Sequence, residues 1–259
     1  MQRQKYIIAT SIIPLLLSLS GVLHGLGNFT VPQDTNEQVY QAFISDKMEA
    51  WDHVIVSQSG RKTSLSDKQL GELVNYYYGY IGWVIGEGQK KKASSYIEEA
   101  EAIIDQLLVK HPNAPEWHAY KAAFIAYKIS LNKMKATFLA KKSTSYIDRA
   151  IELGPDCQQG WIEKGNGMFY TPKLLGGSKE EARQAYEKAI RIMEKKPESI
   201  QQNWLYLNVL MMLGQSYEKT GNTSMAKSTY LKILRIEPEF IYVRDKLYPA
   251  FLKSLNSRN

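Results

Sequence analysis

Over residues 36–56, Val39, Tyr40, Phe43, Met48, Trp51 and Ile55 recur at the spacing of one helix face, and the segment reads as a single helix with no small-residue crossing point. Residues 57–66 (SQSGRKTSLS) read as the loop that ends it, with Ser66 placed to cap the next helix. Further helices are expected near residues 70–85 and 115–131, and a last one over residues 241–255. A second pattern overlies the first: a small residue, an apolar or aromatic residue four later, and a small residue three after that. It occurs at Ala93-Ile97-Ala100, Ser143-Ile147-Ala150 and Ala182-Tyr186-Ala189. Each is followed by a proline, at Pro112, Pro155 and Pro197, and Pro238 continues the series. These prolines stand 43, 42 and 41 residues apart, and the first three precede Trp117, Trp161 and Trp204. A period near 42 residues therefore organises the chain into helical units.

The fourth unit is the most regular: Leu210, Leu213-Gly214, Tyr217, Gly221, Ala226, Tyr230 and Pro238 stand at fixed offsets, with Ile233 in place of a small residue. This series resembles the tetratricopeptide repeat. Gly214 and Ala226 are expected to be small because two antiparallel helices cross there, with Leu213, Tyr217 and Tyr230 filling the groove around the crossing. Gly221 supplies the positive φ of a helix end, and Pro238 stops the second helix. The resemblance implies an all-α fold, a right-handed α-solenoid of about four degenerate helix-turn-helix repeats with helical caps. Residues 26–66 would form the N-terminal capping helix and its loop, and residues 67–259 the solenoid with its C-terminal cap.

The units exceed the family's usual length of about 34 residues. In the third, residues 171–178 (TPKLLGGS) lengthen the turn, with Gly176-Gly177 closing onto Ser178 as an N-cap and Glu181 completing a capping box. This loop is also similar to an insertion in some exported repeat proteins, including periplasmic partner subunits of tripartite solute transporters.

At the N-terminus, Arg3 and Lys5 precede an apolar run over residues 6–17 and the small residues Ser18 and Ser20. That order is the order of a secretory signal peptide, here residues 1–25, and it predicts export to the bacterial periplasm. Left uncleaved, the same segment would tether the protein to the inner membrane. The net charge is +7, or +5 without Arg3 and Lys5. Lysines cluster at residues 90–92 and 133–142 without the alternating aromatics of a nucleic-acid platform, so no nucleic-acid partner is expected. The single cysteine, Cys157, has no partner for an intramolecular disulfide.

Catalytic chemistry is not written in the chain. His24, His53, His111 and His118 are scattered, and Pro112 and Pro115 keep the last two from sharing one helix face. No nucleophile elbow, phosphate loop or zinc-helix motif occurs. Glu98-Glu99 and Glu180-Glu181 are sequence neighbours and point about 100° apart on a helix, so they do not face each other. No catalytic residue, cofactor or metal is expected, and the protein reads as a binding scaffold for a protein or peptide.

The resemblance further implies that first helices line a concave groove. Its partner-binding positions map onto Gln159, Ile162, Asn166, Phe169 and Tyr170 in the third unit, and Asn208, Met211, Gln215, Glu218 and Lys219 in the fourth. Amides there suit a peptide backbone and aromatics supply apolar area. Residues 76–83 (YYYGYIGW) cover a helix all round, so not all can be buried on one face: Tyr77, Tyr80 and Trp83 suit the core, while Tyr76, Tyr78 and Trp83 are candidates for an aromatic patch in the groove. Such a patch would equally serve a solute-binding accessory of a transport system.

Overall fold

The computed structural model describes residues 34–256, so the expected leader over residues 1–25 lies outside the described residues. Within them the chain forms α1 (Thr35–Ile44), α2 (Met48–Ser59), α3 (Asp67–Gly86), α4 (Lys90–Lys110), α5 (Pro115–Leu131), α6 (Ala136–Leu153), α7 (Gln158–Tyr170), α8 (Lys179–Met193), α9 (Trp204–Lys219), α10 (Thr223–Ile236) and α11 (Tyr248–Asn256). No strand occurs among the described residues. Helices α3 to α10 pair as four hairpins that stack into an all-α solenoid.

Local chemistry sets the helix starts. Ser66 and Gln69 form a full capping box ahead of α3, the serine oxygen accepting from the Gln69 amide and the glutamine oxygen accepting from the Ser66 amide. Asn203 caps α9 through the Tyr206 amide at 3.1 Å, and Pro115 opens α5, where a missing N–H costs nothing. Ser178 caps α8 through the Glu181 amide, but the reciprocal half of the expected box does not form. The Ser178 amide already donates to the Met168 carbonyl at 3.0 Å, so Glu181 has nothing to accept. Gly88 and Gly221 end α3 and α9 with φ of 74° and 80°.

Within a hairpin, an aromatic knob from the second helix sits where a glycine leaves room on the first. A β-carbon on Gly214 would stand 2.5 Å from the Tyr230 ring, and one on Gly165 would stand 2.5 Å from the Tyr186 ring. Both tyrosines are fully buried, so neither ring can swing aside. Gly165→Ala should therefore lower stability by about 1–3 kcal/mol, the usual cost of overpacking. Urea denaturation measures this, and an unchanged midpoint would show that the two helices part more easily than the packing implies.

The N-terminal cap departs from expectation, and the C-terminal one forms with an irregular turn inside it. The helix expected over residues 36–56 is two helices, because Asp46 takes a φ of 57° and turns the chain between α1 and α2. Aspartate tolerates that conformation, and its carboxylate gains Lys246 at 3.1 Å from the far end of the chain. At the C-terminus, the helix widens into a π-turn over residues 243–247 before α11. Pro249 cannot donate to a carbonyl four residues back, and the widened turn accommodates that loss.

The two ends also meet. The Tyr40 hydroxyl donates to Glu237 at 2.8 Å, the Phe43 ring lies 4.9 Å from Phe240 and 5.9 Å from Trp204, and Trp51 and Trp204 meet edge to face at 4.9 Å. The solenoid thus closes on itself, with α1 and α2 packed against the fourth hairpin. One expectation changes as a result: the concave side is not a long open trough.

Candidate interaction surface on the concave side

The first helices of the hairpins, α3, α5, α7 and α9, face one another across the concave side, and Tyr78 stands at their meeting point. Its ring lies 5.7 Å from Tyr120 and 5.9 Å from Tyr127 on α5, and 6.3 Å from Trp204 on α9. Its hydroxyl accepts from Asn166 of α7 at 3.0 Å. Asn166 in turn accepts from the Tyr186 hydroxyl at 2.7 Å. Asn75 completes the frame, donating to the Tyr120 hydroxyl at 2.8 Å and accepting from the Trp204 indole at 2.9 Å.

Glu163 lies inside this polar floor. Burial pushes its carboxyl up to about 7, partly opposed by hydrogen bonds from Tyr78, Asn166 and Gln159. Gln159 donates to it at 2.8 Å, while the Gln159 amide oxygen is buried without a hydrogen-bond partner. A carboxyl titrating near neutrality also fits a general acid, but Glu163 is itself buried and held by Gln159 and Asn166. Its position in α7, four residues after Gln159 and three before Asn166, put it on the inward stripe. No motif or spacing in the sequence marks it.

The expected groove residues divide by depth. Gln159, Ile162, Phe169 and Met211 are buried, so a partner cannot reach them while the ring is closed. Asn166 is half-buried and committed to Tyr78 and Tyr186. Glu218 accepts from the Tyr230 hydroxyl and so serves its own hairpin. Asn208 and Gln215 are half-buried, Lys219 is exposed, and Tyr170 is 46% exposed. The closed end is packed with Trp51, Trp204, Tyr120 and Gln159, whereas Gly82, Gly167, Tyr170 and Lys219 near the helix C-termini face solvent. The concave side is a shallow cup, open where α3, α5, α7 and α9 end.

The aromatic patch does not form. Tyr76 and Tyr78 are buried, and Trp83 is half-buried against Tyr80 at 5.4 Å. Tyr76 turns toward α1, where its hydroxyl donates to Asn36 at 2.7 Å, and Tyr77 donates to Glu99 of α4 at 2.6 Å. A helix that is apolar all round is buried all round, and α3 is enclosed by α2, α4, α5 and Trp204. On the opposite edge, a cleft of about 530 Å³ lies among Pro115, Tyr120, Cys157 and Gln159. Burial raises the Cys157 thiol above its ordinary range, which makes it a poor nucleophile. His111 pairs with Asp67 and His118 with the Pro112 carbonyl, each at 2.8 Å, and no metal-binding cluster occurs among the described residues.

A family model described as tetratricopeptide repeat matches residues 207–240, which span α9, α10 and their turn. Among solved structures, a thermophilic protein of this repeat type from Thermus thermophilus is 15% identical. The match covers 85% of this chain and 98% of that one, with a TM-score of 0.53. The MamA protein is 14% identical over 82% of this chain and 96% of its own, with a TM-score of 0.34. No curated protein matches the sequence significantly.

Proposed function

We propose that this chain, whose residues 207–240 match the tetratricopeptide repeat and whose fold is that of such a repeat protein, is a non-catalytic scaffold that captures a protein partner at the open rim of its concave cup. The observation that carries this reading is the gradient of exposure along α7 and α9, from buried Gln159 and Trp204 to exposed Tyr170 and Lys219. A rim of this kind takes a protruding loop or chain end and not a long extended segment. The floor beneath is fixed by the hydrogen bonds among Tyr78, Asn166 and Tyr186, so little ordering entropy opposes capture. Tyr170 offers an amphipathic contact and Lys219 a cation. We place this activity in the periplasm, on the strength of Arg3, Lys5 and the apolar run behind them. The solute-binding alternative loses its support, because Tyr76 and Tyr78 line no open space.

A photoreactive amino acid at Tyr170 tests the proposal. Crosslinking in cells should yield one discrete adduct, and the double variant Gln215→Ala/Lys219→Glu should reduce its yield about tenfold, the loss expected for about 1.4 kcal/mol of rim contact. Equal yields from the rim and from a photoreactive group at Val109, on the opposite edge, would overturn the reading.

A further inference from the structure

Because successive helices run antiparallel, the turns α3–α4, α5–α6, α7–α8 and α9–α10 all fall on one edge of the solenoid. Two neighbouring turns there expose apolar side chains almost completely: Met134 is 96% and Phe138 76% exposed at α5–α6, and Leu174 is 99% and Leu175 75% exposed at α7–α8. Single exposed apolar residues are ordinary, but four on adjacent turns of one edge form a patch.

The second turn holds its leucines outward by construction. The Leu175 and Gly177 amides donate to the Pro172 carbonyl at 2.8 and 3.1 Å, and the Gly176 amide donates to Lys173 at 3.1 Å. Gly176 takes a φ of 91°, and a β-carbon on Gly177 would stand 1.8 Å from the Thr171 carbonyl oxygen. Backbone donors are spent inside the loop and its two glycines cannot be replaced, so Leu174 and Leu175 are presented on a rigid tip.

Charge accompanies the patch. Lys133, Lys141, Lys142 and Lys173 are exposed on the same two turns; residues 132–142 contain no aspartate or glutamate, and beyond Lys173 the first acids are Glu180 and Glu181 on α8, where Glu180 pairs with Arg183. Lys90 and Lys91 extend the basic strip along α3–α4, and Lys219 and Lys227 along α9–α10. The opposite edge instead mixes the two signs, with Asp67 paired to Lys110 and Asp156 to Lys195.

We propose that this edge docks on an anionic lipid bilayer, with Met134, Phe138, Leu174 and Leu175 entering the headgroup boundary and the flanking lysines meeting lipid phosphates. Apolar tips framed by lysine match the two attractions that hold a peripheral protein at such a surface, shallow burial and charge. The cup rim, formed where the first helices end, would then open toward the membrane, and the edge of paired charges would face away. This inference shares the edge and Lys219 with the proposed capture rim, and its test reads lipid contact alone.

The test uses the full chain with Cys157→Ser, labelled with an environment-sensitive fluorophore at Phe138→Cys, Leu174→Cys or, as control, Val109→Cys. Val109 is 84% exposed at the end of α4, on the opposite edge. With phosphatidylglycerol-containing vesicles at low salt, the labels at 138 and 174 should brighten several-fold and shift to the blue, and the label at 109 should not. High salt or pure phosphatidylcholine should abolish the change, and Lys133→Glu/Lys141→Glu/Lys142→Glu/Lys173→Glu should weaken vesicle binding about tenfold. Equal responses at 109, 138 and 174 would mean that association comes from elsewhere in the chain, and the proposal fails. No response at 138 and 174 overturns it in favour of a protein contact at this edge.

Discussion

Replacing Trp204 by alanine is expected to cost about 3–5 kcal/mol, the range for removing a large buried aromatic side chain. This indole touches Phe43, Trp51 and Tyr78 and donates to Asn75, so it joins the N-terminal helices, the first hairpin and the fourth. Gly79 carries the same message from the other side, since a β-carbon there would stand 2.6 Å from both the Trp51 and Trp204 rings. The loss should therefore appear as more than a lower denaturation midpoint. Small-angle scattering should show a larger radius of gyration as α1 and α2 leave the fourth hairpin. If Trp204→Ala unfolds at the wild-type midpoint with unchanged dimensions, the contact between the two ends contributes nothing to the fold.

Glu163→Gln should stabilise the protein in neutral solution and leave it unchanged in mild acid. The folded carboxyl titrates near 7 and its ordinary value is 4.5. Between those values the folded chain keeps a proton that the unfolded chain has lost, so stability falls as pH rises through this window. The full shift is worth about 3 kcal/mol, at about 1.4 kcal/mol per pH unit. Glutamine removes the titration and adds an N–H donor beside the unpartnered Gln159 oxygen. Melting temperatures from pH 4.5 to 8 should thus diverge, with the variant ahead at the alkaline end. A constant difference across that range would mean that Glu163 ionises as freely in the folded state as in water.

How far the chain could be read depended on whether each contact leaves a local mark. The fourth hairpin announces itself because a tyrosine knob at Tyr230 requires Gly214 opposite, and the third repeats this with Tyr186 and Gly165. In the first two hairpins the corresponding residues are Ile97 and Ile147. A smaller knob needs no glycine across from it, so α3 and α5 carry no register mark, although their extents were predictable from periodicity. The aromatic run on α3 was visible, but its burial was not. Nothing local says that Trp204, more than a hundred residues away, covers the remaining face of that helix. The groove positions were transferred from an open repeat array, and Gln159, Ile162, Phe169 and Met211 lost their access for the same reason. Leu174 and Leu175 were visible as a loop, yet their outward presentation comes from the Pro172 and Thr171 carbonyls, a geometry that spacing alone does not encode.

Repeat arrays ordinarily behave as one-dimensional chains of neighbours, which fray from their ends and can begin folding at any unit. The Tyr40–Glu237 hydrogen bond joins residues 197 apart in sequence, and it removes both free ends from that description. During synthesis the N-terminal helices must wait for α10 before their outer surface is covered. The last step of folding is then a long-range closure, slow by the measure of contact order, and the finished molecule should melt as one unit without peeling unit by unit.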